Sequence, residues 1–254
     1  MIYITGDTHA EFNRFSKKSF DAMENDYVII CGDFGGVWNE SSYQKYWLDW
    51  LAAKPWTTLF LDGNHENYDL LATYPVEQWH GGKAQYIRSN VIHLMRGQVF
   101  VIDGLRFFVM GGASSHDISS GILELDDSDF YEKRRRLDRA RALYRINHLS
   151  WWKEELPSDE EYAEGLKNLD AVGNRVDVVL SHCAPSSVQD ILSGGSFQKD
   201  ALTDYLDQVR ERCRFRRWFF GHYHENMEIG QQFILLYEKI VPLTDYLPME
   251  DMAE

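Results

Sequence analysis

Five short apolar runs, each ending in or followed by Asp, Asn or His, constrain the fold of this chain more than any other feature of its sequence. The runs are rich in β-branched or aromatic residues and are typical of buried strands: residues 2–5, 27–31, 58–61, 176–181 and 217–220. The polar groups at their ends are Gly6-Asp7-Thr8-His9, Gly32-Asp33, Gly63-Asn64-His65, Ser181-His182 and Gly221-His222-Tyr223-His224. Ligands of open α/β sheets bind beyond the carboxyl ends of the strands, so we expect all five ends to meet in one crevice.

The rest of the chain reads as an α/β fold with an added antiparallel portion. Apolar residues at helical spacing predict helices over residues 12–23, 41–53 and 200–213. Further strand-like runs cover residues 91–94, 98–102, 105–110 and 233–237. Asp103-Gly104 between two of these runs is a strong signal for a hairpin turn.

One charged stretch, residues 114–174, has no clear strand pattern and reads as an insertion. Helices are predicted over residues 131–144 and 159–169. The pair Trp151-Trp152 argues against a linker between two domains, because linkers are poor in aromatic residues. We therefore predict a single domain over residues 1–254 with a helical insertion.

Composition excludes several classes of protein. The 254 residues are 44% hydrophobic, which excludes a disordered chain, and the formal net charge of −14 disfavours non-specific binding to nucleic acid or anionic lipid. There is no pattern of a signal peptide and no apolar run long enough to span a membrane. Cys31, Cys183 and Cys213 are widely spaced and odd in number, so we expect a reducing, cytoplasmic setting.

Seven oxygen or nitrogen donors at the predicted strand ends indicate a metal centre. They are Asp7, His9, Asp33, Asn64, His182, His222 and His224. This mixture suits divalent transition metals, whereas calcium would take oxygen ligands alone. Seven donors exceed the ligand set of one tetrahedral ion, so we expect two ions (Mn, Fe, Zn or Ni) that share Asp33 as a bridging carboxylate. Taken singly, Asp7 and Asp33 could be helix N-caps and His182 a buried structural histidine, but the combination favours ligation.

The five polar groups, in this order over residues 6–224, resemble the signature blocks of the calcineurin-like metallophosphoesterase superfamily. The resemblance implies a four-layer α/β/β/α sandwich of two mixed sheets, with a dinuclear metal centre that activates hydroxide for attack on phosphorus. It implies that one ion is held by Asp7, His9, Asp33 and His224, and the other by Asp33, Asn64, His182 and His222. It also implies that His65 is catalytic, contacting the phosphate and assisting the leaving group.

The substrate is less constrained than the chemistry. Asn64, His65 and Tyr223 are the expected substrate-binding residues, with Tyr223 at the mouth of the site. A phosphodiester and a phosphomonoester both remain open, and the alternative function is a non-catalytic interaction scaffold with the same fold. The retained ligands and His65 disfavour that alternative.

Two further segments each have two interpretations. The basic stretch Lys133-Arg134-Arg135-Arg136, with Arg139, Arg141 and Arg145, is either a solvated helix face or an arm that grips phosphate. In the second interpretation Trp151 and Trp152 would stack on a base. Residues 111–117 either bring His116 or Asp117 to the crevice or only turn into the insertion, and we favour the turn.

Overall fold

Two mixed β-sheets face each other at the centre of the computed structural model, which describes residues 1–16 and 20–247. With strands numbered in chain order, the first sheet runs β15 (Ile240–Pro242), β1 (Ile2–Thr5), β2 (Tyr27–Ile30), β3 (Thr57–Phe60), β6 (Val91–Leu94), β5 (Gly82–Arg88) and β4 (Val76–Trp79). The second runs β13 (Met227–Ile229), β14 (Phe233–Leu235), β12 (Arg217–Phe220), β11 (Val178–Ser181), β8 (Leu105–Met110) and β7 (Gln98–Ile102).

Six α-helices accompany the sheets in the described part of the chain. They are α1 (Ser42–Ala52), α2 (Tyr68–Leu71), α3 (Phe130–Ala140), α4 (Asp159–Ala171), α5 (Ser186–Ser193) and α6 (Ala201–Arg212). The starts of four are fixed by N-caps, since Ser41, Asn67, Ser158 and Asp200 accept a hydrogen bond from the third residue of the helix that follows. Short 3-10 helices cover Phe12–Phe15, Lys153–Glu155 and Leu243–Asp245.

The alternation of side chains along each strand produces the layers. On β2, Ile29 faces the core between the two sheets, whereas Val28 and Ile30 face the helical layer outside the first sheet. On β8, Phe107 faces the same central core and Phe108 packs towards α4 and α6. Apolar clusters thus fill the space between the sheets and both outer faces, which confirms the predicted four-layer α/β/β/α sandwich.

Parallel pairing places the polar strand ends together. In the first sheet β1, β2, β3 and β6 run parallel, and in the second sheet β8, β11, β12 and β14 do. Within each sheet, the carboxyl ends of parallel strands lie at one edge. The predicted ligands therefore collect at that edge of each sheet.

The structure corrects three predictions of secondary structure. The helix expected over residues 12–23 is wrong: Phe12–Phe15 is a 3-10 helix, residues 20–23 are not helical, and residues 17–19 lie outside the described part. The spacing of three between the buried Phe12 and Phe15 matches the 3-10 repeat. The hairpin of β4 and β5 was not predicted.

The third correction concerns residues 114–174. Instead of lacking strands, this stretch holds a parallel pair, β9 (Ile122–Leu123) and β10 (Arg145–Ile146), beside α3. Helix α4 packs through Leu169 on the outer face of the second sheet. No helix within residues 1–16 and 20–247 has the length and apolar character needed to cross a membrane.

Candidate metal centre

Four predicted ligands from both sheets converge at the strand ends. Asp7, His9, Asp33 and His224 each present one donor atom, and these atoms all lie within 4.8 Å of one another. The Nε2 atoms of His9 and His224 are 3.0 Å apart. His9 Nε2 also lies 3.8 Å from Asp7 Oδ2 and 3.7 Å from Asp33 Oδ2. Two carboxylates and two imidazoles at these distances could hold a metal ion.

The other carboxylate oxygen of Asp33 faces a second group of predicted ligands. His182 Nε2 lies 3.3 Å from Asp33 Oδ1 and 3.3 Å from Asn64 Oδ1. Its Nδ1 lies 2.8 Å from the carbonyl oxygen of Cys31, which fixes the orientation of the ring. The ring of His222 lies 5.1 Å from the His182 ring, centroid to centroid. The structure therefore brings all seven predicted ligands to one place, with Asp33 between the two groups.

The backbone is strained at four of these residues. His9, Asp33, His222 and His224 have φ values of 45°, 47°, 71° and 52°, in the left-handed region. Asp and His enter this region more readily than most residues, but each such residue still costs on the order of 1 kcal/mol. Strain of this kind clusters at functional sites, because the surrounding structure holds the side chains where the chemistry requires them.

Two glycines allow the strand ends to approach the acidic groups closely. A Cβ atom at Gly63 would overlap Asp33 Oδ1 and His182 Nε2, and one at Gly221 would overlap Asp7 Oδ1. These two positions therefore require glycine, because any larger residue would clash with the side chains of the centre.

The carboxylates and imidazoles shift one another's protonation. Burial alone would raise the pKa of Asp33, but His182, with His65 and His9, holds that pKa well below its usual range. Burial opposes the charged form of His182, yet Asp33 and Asp7 outweigh it and raise the pKa of His182. Burial and repulsion from His182 lower the pKa of His222 to about 3. Asp33 therefore stays ionised, and its carboxylate favours a positive charge beside it.

One carboxylate oxygen of the centre supports a fit to a metal ion. Asp7 Oδ2 is buried and faces the imidazoles of His224 and His9, whose Nε2 atoms lie 3.1 Å and 3.8 Å away. A buried carboxylate oxygen is costly unless a cation or a hydrogen-bond donor faces it. A metal ion bound here would have an oxygen and a nitrogen donor side by side.

The predicted catalytic residue lies next to the cluster. The backbone N–H of His65 donates to Asp33 Oδ1 at 2.8 Å, and its ring lies 5.2 Å from the ring of His9. Burial lowers the pKa of His65, against the attraction of Asp33. The neighbouring Glu66 is fully buried and accepts hydrogen bonds from Phe34 N at 2.6 Å and Gly35 N at 3.3 Å. Glu66 thus holds the loop that follows Asp33.

Three supporting residues were not identified from the sequence. The Arg14 guanidinium donates to the carbonyl oxygen of Asp7 at 2.8 Å. Ser115 Oγ lies 3.5 Å from Asn64 Nδ2, and Ser115 donates to Glu155 through its backbone N at 2.8 Å and its Oγ at 2.7 Å. Nothing in the sequence marks Arg14 or Glu155, but Ser115 lies at the end of a predicted strand, as the ligands do.

Two cavities flank the cluster. The larger, about 640 Å³, is lined by His222, Tyr223 and His224 together with residues of 113–119 and of 183–203. The smaller, about 320 Å³, is lined by His9 and His65 together with aromatic side chains of residues 12–47. Tyr223 lines the larger cavity, and its predicted place at the mouth of the site stays a prediction.

The stretch after β8 contributes to the site, so its interpretation as a turn alone is wrong. His116 lines the larger cavity, and its ring lies 5.7 Å from the ring of His222. Asp117 pairs with Arg145 at 2.9 Å, and the Arg145 charge acts on His65.

The rest of the basic stretch stands apart from both cavities. Arg134, Arg135 and Arg136 are exposed on α3 and line neither cavity. The hypothesis that Trp152 stacks on a base is wrong: its side chain is buried, its indole N–H donates to Asp69 at 2.7 Å, and it packs against Trp38. The solvated-face interpretation therefore fits α3.

Comparison of the sequence with known protein families supports this fold. The family model described as calcineurin-like phosphoesterase matches residues 1–226. The chain belongs to the calcineurin-like phosphoesterase family. It is 22% identical over 267 residues to a lariat debranching enzyme of Drosophila melanogaster, an alignment that covers 88% of this chain and 42% of that protein. A lariat debranching enzyme of Caenorhabditis briggsae is 23% identical over 256 residues, covering 88% of this chain and 46% of the relative. The chain spans less than half the length of these relatives.

Proposed function

We propose that this chain is a metal-dependent phosphodiesterase with two divalent transition-metal ions (Mn, Fe, Zn or Ni) between its sheets. The observation that carries the proposal is the cluster of Asp7, His9, Asp33 and His224, whose donor atoms come from both sheets and all lie within 4.8 Å of one another. We also propose that the chain forms one domain, because both sheets contribute ligands to the same centre.

The seven donors divide around Asp33. Its Oδ2 faces His9 and its Oδ1 faces His182, which supports Asp33 as the bridge between two ions. One ion would be held by Asp7, His9, Asp33 and His224, and the other by Asp33, Asn64, His182 and His222. When bound, such ions supply Lewis-acid chemistry, which polarises the phosphoryl oxygens and lowers the pKa of water.

The protein's own groups position the ester and handle the proton. Asn64 and His65 lie at the end of β3 and face the cluster, where they can contact the phosphoryl oxygens. The His65 imidazole donates a proton or a hydrogen bond to the leaving oxygen, a role that suits its place beside His9 at the edge of the smaller cavity. Tyr223 bounds the substrate on the side of the larger cavity.

The two cavities favour a diester over a monoester. A phosphodiester carries an organic group on each side of phosphorus, and the cluster has a cavity on the His65 side and another on the His222 side. A monoester would need only one. The name of the distant relatives, lariat debranching enzymes, agrees with a diester substrate. A cytoplasmic location stays a prediction, consistent with three cysteines that are buried and unpaired.

The experiment compares two chromogenic esters on one enzyme preparation. Protein stripped with chelator and reloaded with Mn²⁺, Zn²⁺, Fe²⁺ or Ni²⁺ is assayed on bis(p-nitrophenyl) phosphate and on p-nitrophenyl phosphate. We expect a higher kcat/KM on the diester with at least one metal and no turnover without metal. Metal binding without hydrolysis of either ester would support the scaffold function instead.

A further inference from the structure

We propose that the larger cavity binds a nucleobase, stacked on Phe197, that belongs to the group retained on the phosphate. This proposal rests on the phosphodiesterase function above and names its substrate as a nucleotide ester. Three features of the cavity carry it: a stacked aromatic pair, a lining without Lys or Arg, and a buried amide with an unpartnered oxygen.

The platform consists of Phe197 and Tyr223. Their rings are stacked, with centroids 5.5 Å apart and planes inclined by 12°. Tyr223 is held in place because its hydroxyl accepts a hydrogen bond from Ala184 N at 3.2 Å. Phe197 lines the cavity and is 45% exposed, so one face of the pair is open to a ligand. An aromatic ring that already packs against a neighbour loses less conformational entropy when it binds a planar ring.

The lining selects an uncharged ring. Among the described residues that line this cavity there is no Lys or Arg, and the polar side chains are Ser, Thr, Gln, His and Tyr apart from Asp200. The Asp200 carboxylate is already engaged, since its Oδ1 accepts a hydrogen bond from Thr203 N at 2.8 Å as the N-cap of α6. Such a lining offers hydrogen bonds but no Lys or Arg to pair with a second phosphate, which matches a nucleobase.

Gln189 adds a polar group that lacks a partner. Its side chain lines the cavity and is 93% buried, and its Oε1 atom has no hydrogen-bond partner. A buried carbonyl oxygen in this state is short of one donor. A turn of the Gln189 amide towards the cavity would let the amino or imino N–H of a base supply this donor, whereas a purely hydrocarbon ring would not.

The position of the cavity indicates that the base belongs to the nucleoside that keeps the phosphate after hydrolysis. Tyr223 follows His222 directly, and the two rings lie 5.0 Å apart, so a base on Phe197 is close to the metal centre. His65, which serves the leaving oxygen, lines the other cavity. The leaving group therefore occupies the smaller cavity and the nucleoside that keeps the phosphate occupies the larger one.

The test compares two esters with the same leaving group, thymidine 5′-(p-nitrophenyl phosphate) and methyl p-nitrophenyl phosphate. In the metal-loaded enzyme, Phe197→Ala should lower kcat/KM at least about fivefold on the thymidine ester, since removal of one stacking partner costs that much or more. The methyl ester should change less than twofold. Phe197→Trp should restore the preference for the thymidine ester. Ile191→Ala, an exposed apolar residue of α5 outside the cavity, is the matched control and should alter neither ester.

Equal loss on both esters, or no loss on either, would overturn the proposal. A loss on the thymidine ester produced by Tyr43→Ala in the smaller cavity, and not by Phe197→Ala, would also overturn it. Calorimetry with AMP and ribose 5-phosphate then separates the proposal from the catalytic function. Tighter binding of AMP that disappears in Phe197→Ala supports the base site even in a protein that hydrolyses nothing, and equal binding of the two ligands contradicts it.

Discussion

His182 Nε2 lies 3.3 Å from Asp33 Oδ1, although the two residues follow strands of different sheets. Asp33 ends β2 of the first sheet and His182 ends β11 of the second. Neither sheet alone holds a complete ligand set, so the centre forms only when the two sheets pack against each other. Ligand binding at this centre should therefore stabilise the packed sandwich.

Replacement of Asp33 should deplete both metal positions. In Asp33→Asn the bridge keeps its shape but loses its charge, so we expect the metal content per chain to fall from about two ions to well below one. Elemental analysis after gel filtration in metal-free buffer measures this. Asp49→Asn, a change at an exposed carboxylate that pairs with Arg88, is the control and should keep the wild-type content. Full occupancy in Asp33→Asn would contradict the bridging role.

Replacement of His65 should separate catalysis from metal binding. His65→Gln is expected to keep the metal content and to lower kcat on bis(p-nitrophenyl) phosphate by roughly 10²- to 10⁴-fold, the usual contribution of a general acid. His80→Asn, in the exposed turn between β4 and β5, should leave both quantities unchanged. Loss of metal with unchanged activity per bound metal would instead make His65 a structural residue.

The buried Arg96 should be essential for stability. Its Nε donates to Asp62 Oδ2 at 2.7 Å and its NH2 donates to Tyr68 Oη at 2.7 Å, and both members of the ion pair are almost fully buried. Arg96→Met removes the guanidinium from the buried Asp62 and leaves it only the contacts with His93 Nε2 at 3.1 Å and Tyr68 Oη at 2.9 Å, so the free energy of unfolding should fall by up to about 3–5 kcal/mol in urea denaturation. Adding Asp62→Asn should recover part of the loss, and a double variant less stable than Arg96→Met would contradict this explanation.

The contact between the insertion and α2 should depend on pH. His148 Nδ1 lies 2.9 Å from Asp69 Oδ2, and the hydrogen bond with Asp69 raises the pKa of His148. The stabilising effect is complete below the ordinary pKa of histidine and is lost as the pH rises through the raised value. His148→Gln should therefore destabilise the protein at pH 5.5 and have no effect at pH 9, as measured by urea denaturation. An equal effect at both pH values would exclude the charged pair.

The arginines of α3 should be dispensable. Arg134, Arg135 and Arg136 are exposed and line neither cavity. Simultaneous replacement by Ser should leave KM and kcat within about twofold on the thymidine ester and on the methyl ester, as solvated surface charges usually contribute little. An increase in KM confined to the thymidine ester would instead support the hypothesis that these arginines bind the phosphate of the substrate.

The sequence was most informative where strands end in ligands. Strands β1 and β12 match the predicted runs residue for residue, because three of the four residues in each are apolar or aromatic and most are buried. The turn at Asp103-Gly104 also forms as predicted, with φ values of 50° and 81°. The polar motifs that follow β1, β2, β3, β11 and β12 contain all seven predicted metal ligands.

Other parts depend on contacts that a local pattern does not carry. Strand β4 is largely exposed at the edge of the sheet. Because it contains the polar residues Glu77 and Gln78, it lacks the apolar pattern that would predict a strand. Glu155 is charged and would be expected on the surface, yet it is buried because Ser115 donates two hydrogen bonds to it. The pairing of Phe197 with Tyr223 joins residues that are far apart in sequence, so it could not be read from either segment.

The most direct test of the dinuclear centre is a titration of stripped protein with Mn²⁺, with metal content and hydrolysis of bis(p-nitrophenyl) phosphate measured on the same samples. We predict no turnover without metal and a rise in activity that reaches its maximum at two ions per chain. Turnover that survives complete removal of metal, or activity that is already maximal at one ion per chain, would contradict the account.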